Sequence, residues 1–248
     1  MATNEQNIKG VSYRGLPAIT QEGVYGPARF SRYGEQVTSA FHGSKCWPIA
    51  DEGSYFLATN PTMGTGIAGI AASTSYDATE SLLHIRNTST SKRLYLDFIE
   101  LVATAAGTNG TTFGVTMTTD RGASRYTSGA TAITPVNVNL ASADTADCTV
   151  KFGALVTTAA SADVRLLGNI PLRTVIKVIG DRYRFNFGDT NSAWTNAGAS
   201  TDGTTSVAMT IPCPPVVLGE NDQFLLHDWG ASQTVGASYE FRIGFVMR

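Results

Sequence analysis

Charge is scarce in this chain. Asp, Glu, Lys and Arg make up 15% of its 248 residues, well below the proportion usual in soluble domains. The formal net charge is −2, and the sequence contains neither a polybasic run nor an acidic tail. Attraction to nucleic acid scales with clustered Lys and Arg, so a nucleic-acid partner is not expected. Cysteine is also sparse. Cys46, Cys148 and Cys213 lie far apart and form no C-x-x-C pair, which argues against a disulfide framework or a thiolate metal site and for buried free thiols in a reducing compartment. No stretch approaches the ~18 apolar residues needed to span a bilayer as a helix. The opening MATNEQNIKG lacks the apolar core of a secretory signal. Without such a signal, the sequons at Asn87 and Asn109 carry no glycosylation context. Expression in the cytoplasm of the producing cell is expected. No segment sustains three clean heptads.

What is present is apolar and small. Hydrophobic residues reach 42%, too many for a disordered chain, and the length suffices for one large β domain with an appended arm. Residues 1–79 read as that arm. Gly and Pro punctuate them too densely for helices of useful length, yet Tyr13, Tyr25, Phe30, Tyr33, Phe41, Trp47, Tyr55 and Phe56 need something to cover them. Fully extended, such an arm would reach at most ~250 Å. Tyr13, Arg14, Tyr25, Arg29, Phe30, Arg32, Tyr33 and Trp47 combine the aromatic and arginine side chains that anchor protein interfaces. They are the candidate partner-contacting residues, whether the arm wraps its own domain or a neighbour.

Residues 80–248 read as strands. In KRLYLDFIELVAT, Leu94, Leu96 and Phe98 fall on one face and Arg93, Tyr95 and Asp97 on the other, the period of two of a half-buried strand. The same pattern puts Phe113, Val115 and Met117 on one face, as it does Val136, Val138 and Leu140 against Asn137 and Asn139, and Val207, Met209 and Ile211. It is clearest in Tyr239, Phe241, Ile243, Phe245 and Met247. The segment 173–187 has Val175, Ile176, Val178 and Ile179 at helix-compatible spacing, but its β-branched content and Gly180-Asp181 favour two strands or a strand and a turn. The class is all-β, and many strands with short turns imply a sandwich or barrel.

Candidate chemistry is thin. Gly64-Thr-Gly66-Ile-Ala-Gly69 matches G-x-G-x-x-G, but no helix or βαβ unit follows to hold a pyrophosphate. His42, His84 and His227 show no metal spacing. Asp144 with Asp147, Asp181 with Asp189, and Asp222 with Asp228 have the residue type for weak calcium binding or a glycosidase pair, although loop Asp more often shapes turns. DRYRFNF sets Arg182 and Arg184 opposite Tyr183, Phe185 and Phe187, the pattern of an ordinary strand rather than a base-stacking groove. No catalytic residue, cofactor or metal site is expected.

The C-terminal stretch PPVVLGENDQFLLHDWGASQTVGASYEFRIGFVMR resembles the last two strands of jelly-roll domains in bacteriophage virion proteins. LLHIRNTSTSKRLYLDFIELVATAAGTNGTTFGVTMTTDRG is similar to their opening strands, and EGSYFLATNPTMGTGIAG resembles segments of tailed-phage structural proteins. The resemblance implies a jelly-roll β-sandwich with an extended N-terminal arm, and a capsid decoration (cement) protein of the virion surface. Such a protein would form a homotrimer, bind the major capsid protein and clamp adjacent capsomers, with no nucleic-acid or membrane partner. The alternative is a carbohydrate-binding, host-recognition module of a tail or head fibre, for which Trp194 is the candidate loop aromatic. A hydrolase built on loop carboxylates and a shell-forming capsid protein are further alternatives.

Overall fold

The computed structural model describes residues 46–70, 75–108, 112–173, 176–188, 195–197 and 205–248, with backbone alone for 46, 47, 173 and 195–197. The chain divides between Ser44 and Lys45 into two units, and all of these residues belong to the second. It opens with a short helix, α1 (Cys46–Asp51), which ends at Gly53, whose φ of 74° no side-chain-bearing residue adopts cheaply. The strands follow: β1 (Tyr55–Thr59), β2 (Ile67–Ala68), β3 (Glu80–Asn87), β4 (Leu94–Ala105), β5 (Thr112–Asp120), β6 (Tyr126–Ile133), β7 (Val136–Asn137) and β8 (Cys148–Thr157). They continue with β9 (Arg165–Arg173), β10 (Arg182–Phe187), β11 (Thr195–Ala197), β12 (Ala208–Cys213), β13 (Val216–Leu218), β14 (Gln223–Ala231) and β15 (Ser238–Met247). The chain is thus an all-β protein.

Two sheets form the sandwich. Sheet I runs β11-β12-β10-β4-β15-β1-β7, with β13 on β4 and β2 on β15. Sheet II runs β6-β8-β3-β14-β5-β9. Pairing is antiparallel except between β10 and β12. Consecutive strands cross between the sheets, β3 to β4 to β5 and again β14 to β15. As a result β14 lies between β3 and β5 in sheet II, and β15 lies beside β4 in sheet I. Ring pairs bridge the inner faces, Phe152 stacked on Phe241 at 4.0 Å and Phe187 edge-on to Phe224 at 5.7 Å. Each such pair contributes about 1 kcal/mol beyond the area it buries.

The residues that the sequence places on the apolar faces, Phe113, Val115 and Met117, Val207, Met209 and Ile211, and Tyr239, Phe241, Ile243, Phe245 and Met247, are all buried. The segment before β10 is irregular with a turn at Ile179-Gly180, so strand and turn describe it. In β4 the phase changes. Leu94 and Leu96 face the core, but the β15 register skips between Phe245↔Leu96 and Gly244↔Phe98. This bulge at Asp97 re-aims everything beyond it. Phe98 turns outward under the Arg184 guanidinium, 4.4 Å from the ring centroid, and Ile99, Leu101 and Ala103 take the core positions.

The domain boundary also moves. Tyr55–Thr59 pairs with β15 over five residues and places Phe56 and Ala58 in the core, so residues 46–70 belong to the sandwich and the division at 79/80 falls inside it. Gly and Pro flanking YFLAT hide this strand because they leave it only five residues long. The glycine motif that follows forms no helix. Ile67–Ala68 pairs with β15, and Gly66 passes where a Cβ would strike Thr104.

The bulge yields a direct test. Ile99→Ala is expected to cost ~2–5 kcal/mol, the usual range for a fully buried aliphatic, whereas Phe98→Ala costs under ~1.5 kcal/mol because its ring is only partly covered. Urea unfolding of the two variants checks this. Equal losses would restore the uninterrupted alternation.

Candidate interaction surfaces

Three kinds of place on the sandwich carry polar or exposed groups: a buried layer outside sheet II, a polar cluster between the sheets, and two open surfaces of sheet I.

The central strands of sheet II are buried on both faces. Their outward residues His84, Asp120, Gln223 and His227 lie under segments that fold back over the sheet. Arg125 pins this cover. Its side chain is 3% exposed and donates to the carbonyls of Ala78 and Thr158, with Asp120 Oδ2 at 3.5 Å. Ser161 donates to Asp120 through both its N–H and its hydroxyl. Although burial works against ionisation, these bonds, that of the Arg121 N–H and the Arg125 charge keep the Asp120 carboxyl below its ordinary value. His84 Nε2 donates to Gln223 Oε1 at 2.9 Å, and His227 Nδ1 donates to the Glu80 carbonyl at 2.6 Å while its Nε2 accepts from Thr118 at 3.3 Å. Burial lowers the pKa of both imidazoles, that of His227 to about 4. Both are neutral structural hydrogen-bonders at pH 7.

Between the sheets, Lys177 Nζ binds the Asp228 carboxylate, and the Tyr239 hydroxyl donates to the same carboxylate at 2.7 Å. Nearby, Asp181 accepts from Tyr183 at 2.9 Å and from the N–H groups of Val178 and Val207, both at 2.8 Å. Of the carboxylates considered above, Asp222 caps its own turn through the Gly219 N–H at 2.9 Å and pairs with Arg121 at 3.3 Å. Asp144 lies 3.9 Å from Lys92. Burial pushes the Cys148 and Cys213 thiols up to about 12, far from thiolate reactivity. Among the described residues, no three or more His, Cys, Asp or Glu gather as a metal site, and no helix is long and apolar enough to cross a membrane.

Sheet I has an open outer face. The outward alternation of β10 places Arg182 and Arg184 beside Glu100 of β4 and Arg242 of β15. Glu100 takes Arg242 at 2.6 Å and Arg184 at 3.5 Å. With Asn60, Met63 and Glu240, Arg182 and Arg242 line a shallow hollow of 330 Å³. Phe241 is the ring among its lining residues, and it is buried.

The edge of sheet I inverts the sequence expectation. Val136, Val138 and Leu140 face outward, 56%, 41% and 100% exposed. Asn137 and Asn139 turn inward instead, and only Val136–Asn137 is strand. Asn137 Nδ2 donates to the Gly53 carbonyl at 2.7 Å, and Asn139 Nδ2 to the Asp51 carbonyl at 2.9 Å. Their side-chain oxygens accept from the N–H groups two residues on, both at 2.9 Å. These Asx turns satisfy backbone that short strand pairing leaves open, and they oblige the apolar side chains to point away. The N-x-N spacing was the available signal.

Of the residues expected to contact partners, Tyr13, Arg14, Tyr25, Arg29, Phe30, Arg32 and Tyr33 lie outside the described residues, as do His42, Asp189 and Trp194. Trp47 lies in α1, at the start of the sandwich unit. No family model, curated protein or solved structure matches this chain.

The His227 environment sets a pH dependence. Its folded pKa lies below that of the unfolded chain, so the unfolded state binds the proton first. Stability is full above pH ~6.5 and falls as the pH drops toward 4, by up to about 3 kcal/mol from this group. Melting temperatures between pH 7 and pH 4 should decline, and His227→Gln should flatten the upper part of that decline, where carboxylates remain ionised. An unchanged slope would mean that His227 does not titrate in this window.

Proposed function

We propose that this chain is a virion structural protein, a head decoration or cement protein. It binds the outside of a major capsid shell, bridges adjacent capsomers and stabilises the particle. In this reading it acts as a homotrimer on the virion surface, with no cofactor and no substrate of its own.

The observation that carries the reading is the inverted edge of sheet I. The inward turns of Asn137 and Asn139 leave Val136, Val138 and Leu140 facing water as a short apolar strip that a partner would cover. Covering them in a contact would contribute roughly 1.5–3 kcal/mol for the fully exposed Leu140 and about half that for each of the half-exposed Val136 and Val138. The Arg-rich face of sheet I adds a second protein-facing surface, since arginine beside an aromatic ring is a frequent interface pairing. His84, His227 and the buried carboxylates Asp120 and Asp181 support the reading in another way, because each is engaged in holding the sandwich together. The jelly-roll likeness of the C-terminal strands supplies the link to virions. The hollow beside Arg182 offers no exposed ring on which a sugar would stack, so it does not favour the glycan-binding alternative.

Quantitative mass spectrometry of purified particles carrying this protein tests the proposal. Copy numbers comparable to the major capsid protein are expected. A handful per particle would move it to a vertex or tail and favour host recognition, and absence from particles would end the virion reading. Val138→Asp combined with Leu140→Asp provides the surface test. Stability should change by less than ~0.5 kcal/mol per site, as for exposed positions, while occupancy on particles drops more than ~10-fold, the equivalent of about 1.4 kcal/mol of binding. Full occupancy would exclude this edge from the contact.

A further inference from the structure

We propose that Lys177 and Asp228 join covalently, the lysine amine condensing with the aspartate carboxyl to form an intramolecular isopeptide bond.

The two side chains are held as reactants. Lys177 is completely buried, and the Asp228 side chain is 7% exposed. Nζ lies 2.7 Å from Oδ2 and closer still to Oδ1, so no water separates the amine from the carboxyl and the nitrogen sits within reach of Cγ. The rings of Phe113 and Tyr239 flank Nζ, with centroids at 5.1 and 5.3 Å. Asp228 is the carboxylate partner of Lys177 among the described residues, and the completely buried Tyr239 donates its hydroxyl to Oδ2. Burial first, then the Asp228 charge, holds that phenol well above its ordinary pKa, so it remains a donor.

The geometry dictates the chemistry. Burying an ammonium and a carboxylate is expensive even when they pair, and moving one proton from Nζ to Oδ1 removes both charges. The neutral amine then attacks Cγ. Negative charge develops on Oδ2, where the Tyr239 hydroxyl already points, the arrangement that stabilises a tetrahedral oxyanion. A second proton passes from the nitrogen to Oδ1, the C–Oδ1 bond breaks, and water departs. The sum is one ammonium and one carboxylate giving one amide and one water, with no change of oxidation state and no co-reactant. Fixed proximity substitutes for activation, since well-oriented intramolecular pairs reach effective molarities of ~10⁵ M or more. Exclusion of water from the cavity then opposes hydrolysis. The product ties the segment leading into β10 of sheet I to β14 of sheet II, a covalent strut across the sandwich.

The test is the intact mass of the full-length protein under denaturing conditions. The expected mass is below that of the encoded sequence by one water, about 18 Da. Trypsin should leave position 177 uncut and release a branched peptide joining the segments around Lys177 and Asp228. Lys177→Arg and Asp228→Ala should show their full encoded masses. Asp228→Asn should lose ammonia instead of water, because the amide nitrogen is then the leaving group. Tyr239→Phe should convert more slowly, and an equal rate would overturn the assigned role of its hydroxyl. Full encoded mass in native protein, fresh and after prolonged incubation, with normal cleavage at Lys177, would overturn the proposal and leave an ordinary buried ion pair. This readout uses the unaltered chain, so it stands even if a variant fails to fold.

Discussion

Burial of both faces of sheet II is the constraint from which much else follows. A sandwich sheet ordinarily gives one face to the core and one to water, but β3, β5 and β14 are covered on both sides. Most polar groups on the outer side accordingly bond to protein, because an unpaired buried donor or acceptor costs ~1–3 kcal/mol; His84 Nδ1 is an exception. Arg125 is the hub of the solution. One guanidinium satisfies carbonyls from two covering segments and faces Asp120 of the sheet beneath. The neutral imidazoles of His84 and His227 follow from the same enclosure.

Much of this fold was legible in the sequence because its main strands obey a simple period. Phe113, Val115 and Met117, and Tyr239, Phe241, Ile243, Phe245 and Met247, are all buried as the alternation expects, although β5 and the end of β15 are covered on both faces rather than half-buried. What could not be read were events that break the period. The bulge at Asp97 depends on how β15 pairs across the sheet, and no local pattern encodes a register skip. β1 was obscured by its neighbours, since five residues between glycines and prolines carry too little pattern to outweigh them. At Val136–Leu140 the alternation was real but its direction was not. Period alone cannot say which face is inside, and the Asx turns of Asn137 and Asn139 decided it.

The candidate surfaces were less legible than the fold. The outward arginines of β10 were read correctly as one strand face, yet their partners Glu100 and Arg242 come from strands far away in sequence. The Lys177–Asp228 contact likewise joins a loop residue to a strand residue 51 positions on. A lysine in an apolar segment reads in sequence as a solvated charge. Only the fold reveals that Phe113 and Tyr239 enclose it.

The placement of β14 and β15 has a consequence for biosynthesis. These two strands are interior in their sheets, yet they follow every other described strand in chain order. As the ribosome releases the chain from its N-terminal side, β3 and β5 emerge without the strand that separates them, and β4 without its β15 neighbour. Until β14 and β15 are free, sheet II lacks the strand that joins β3 to β5 and sheet I the strand that joins β4 to β1, so neither sheet can be completed. Long-range pairing of this kind is slow, and it leaves sticky strand edges exposed meanwhile. Synthesis in bulk would therefore draw on chaperones, and messages truncated before residue 223 would yield aggregates rather than smaller folded domains.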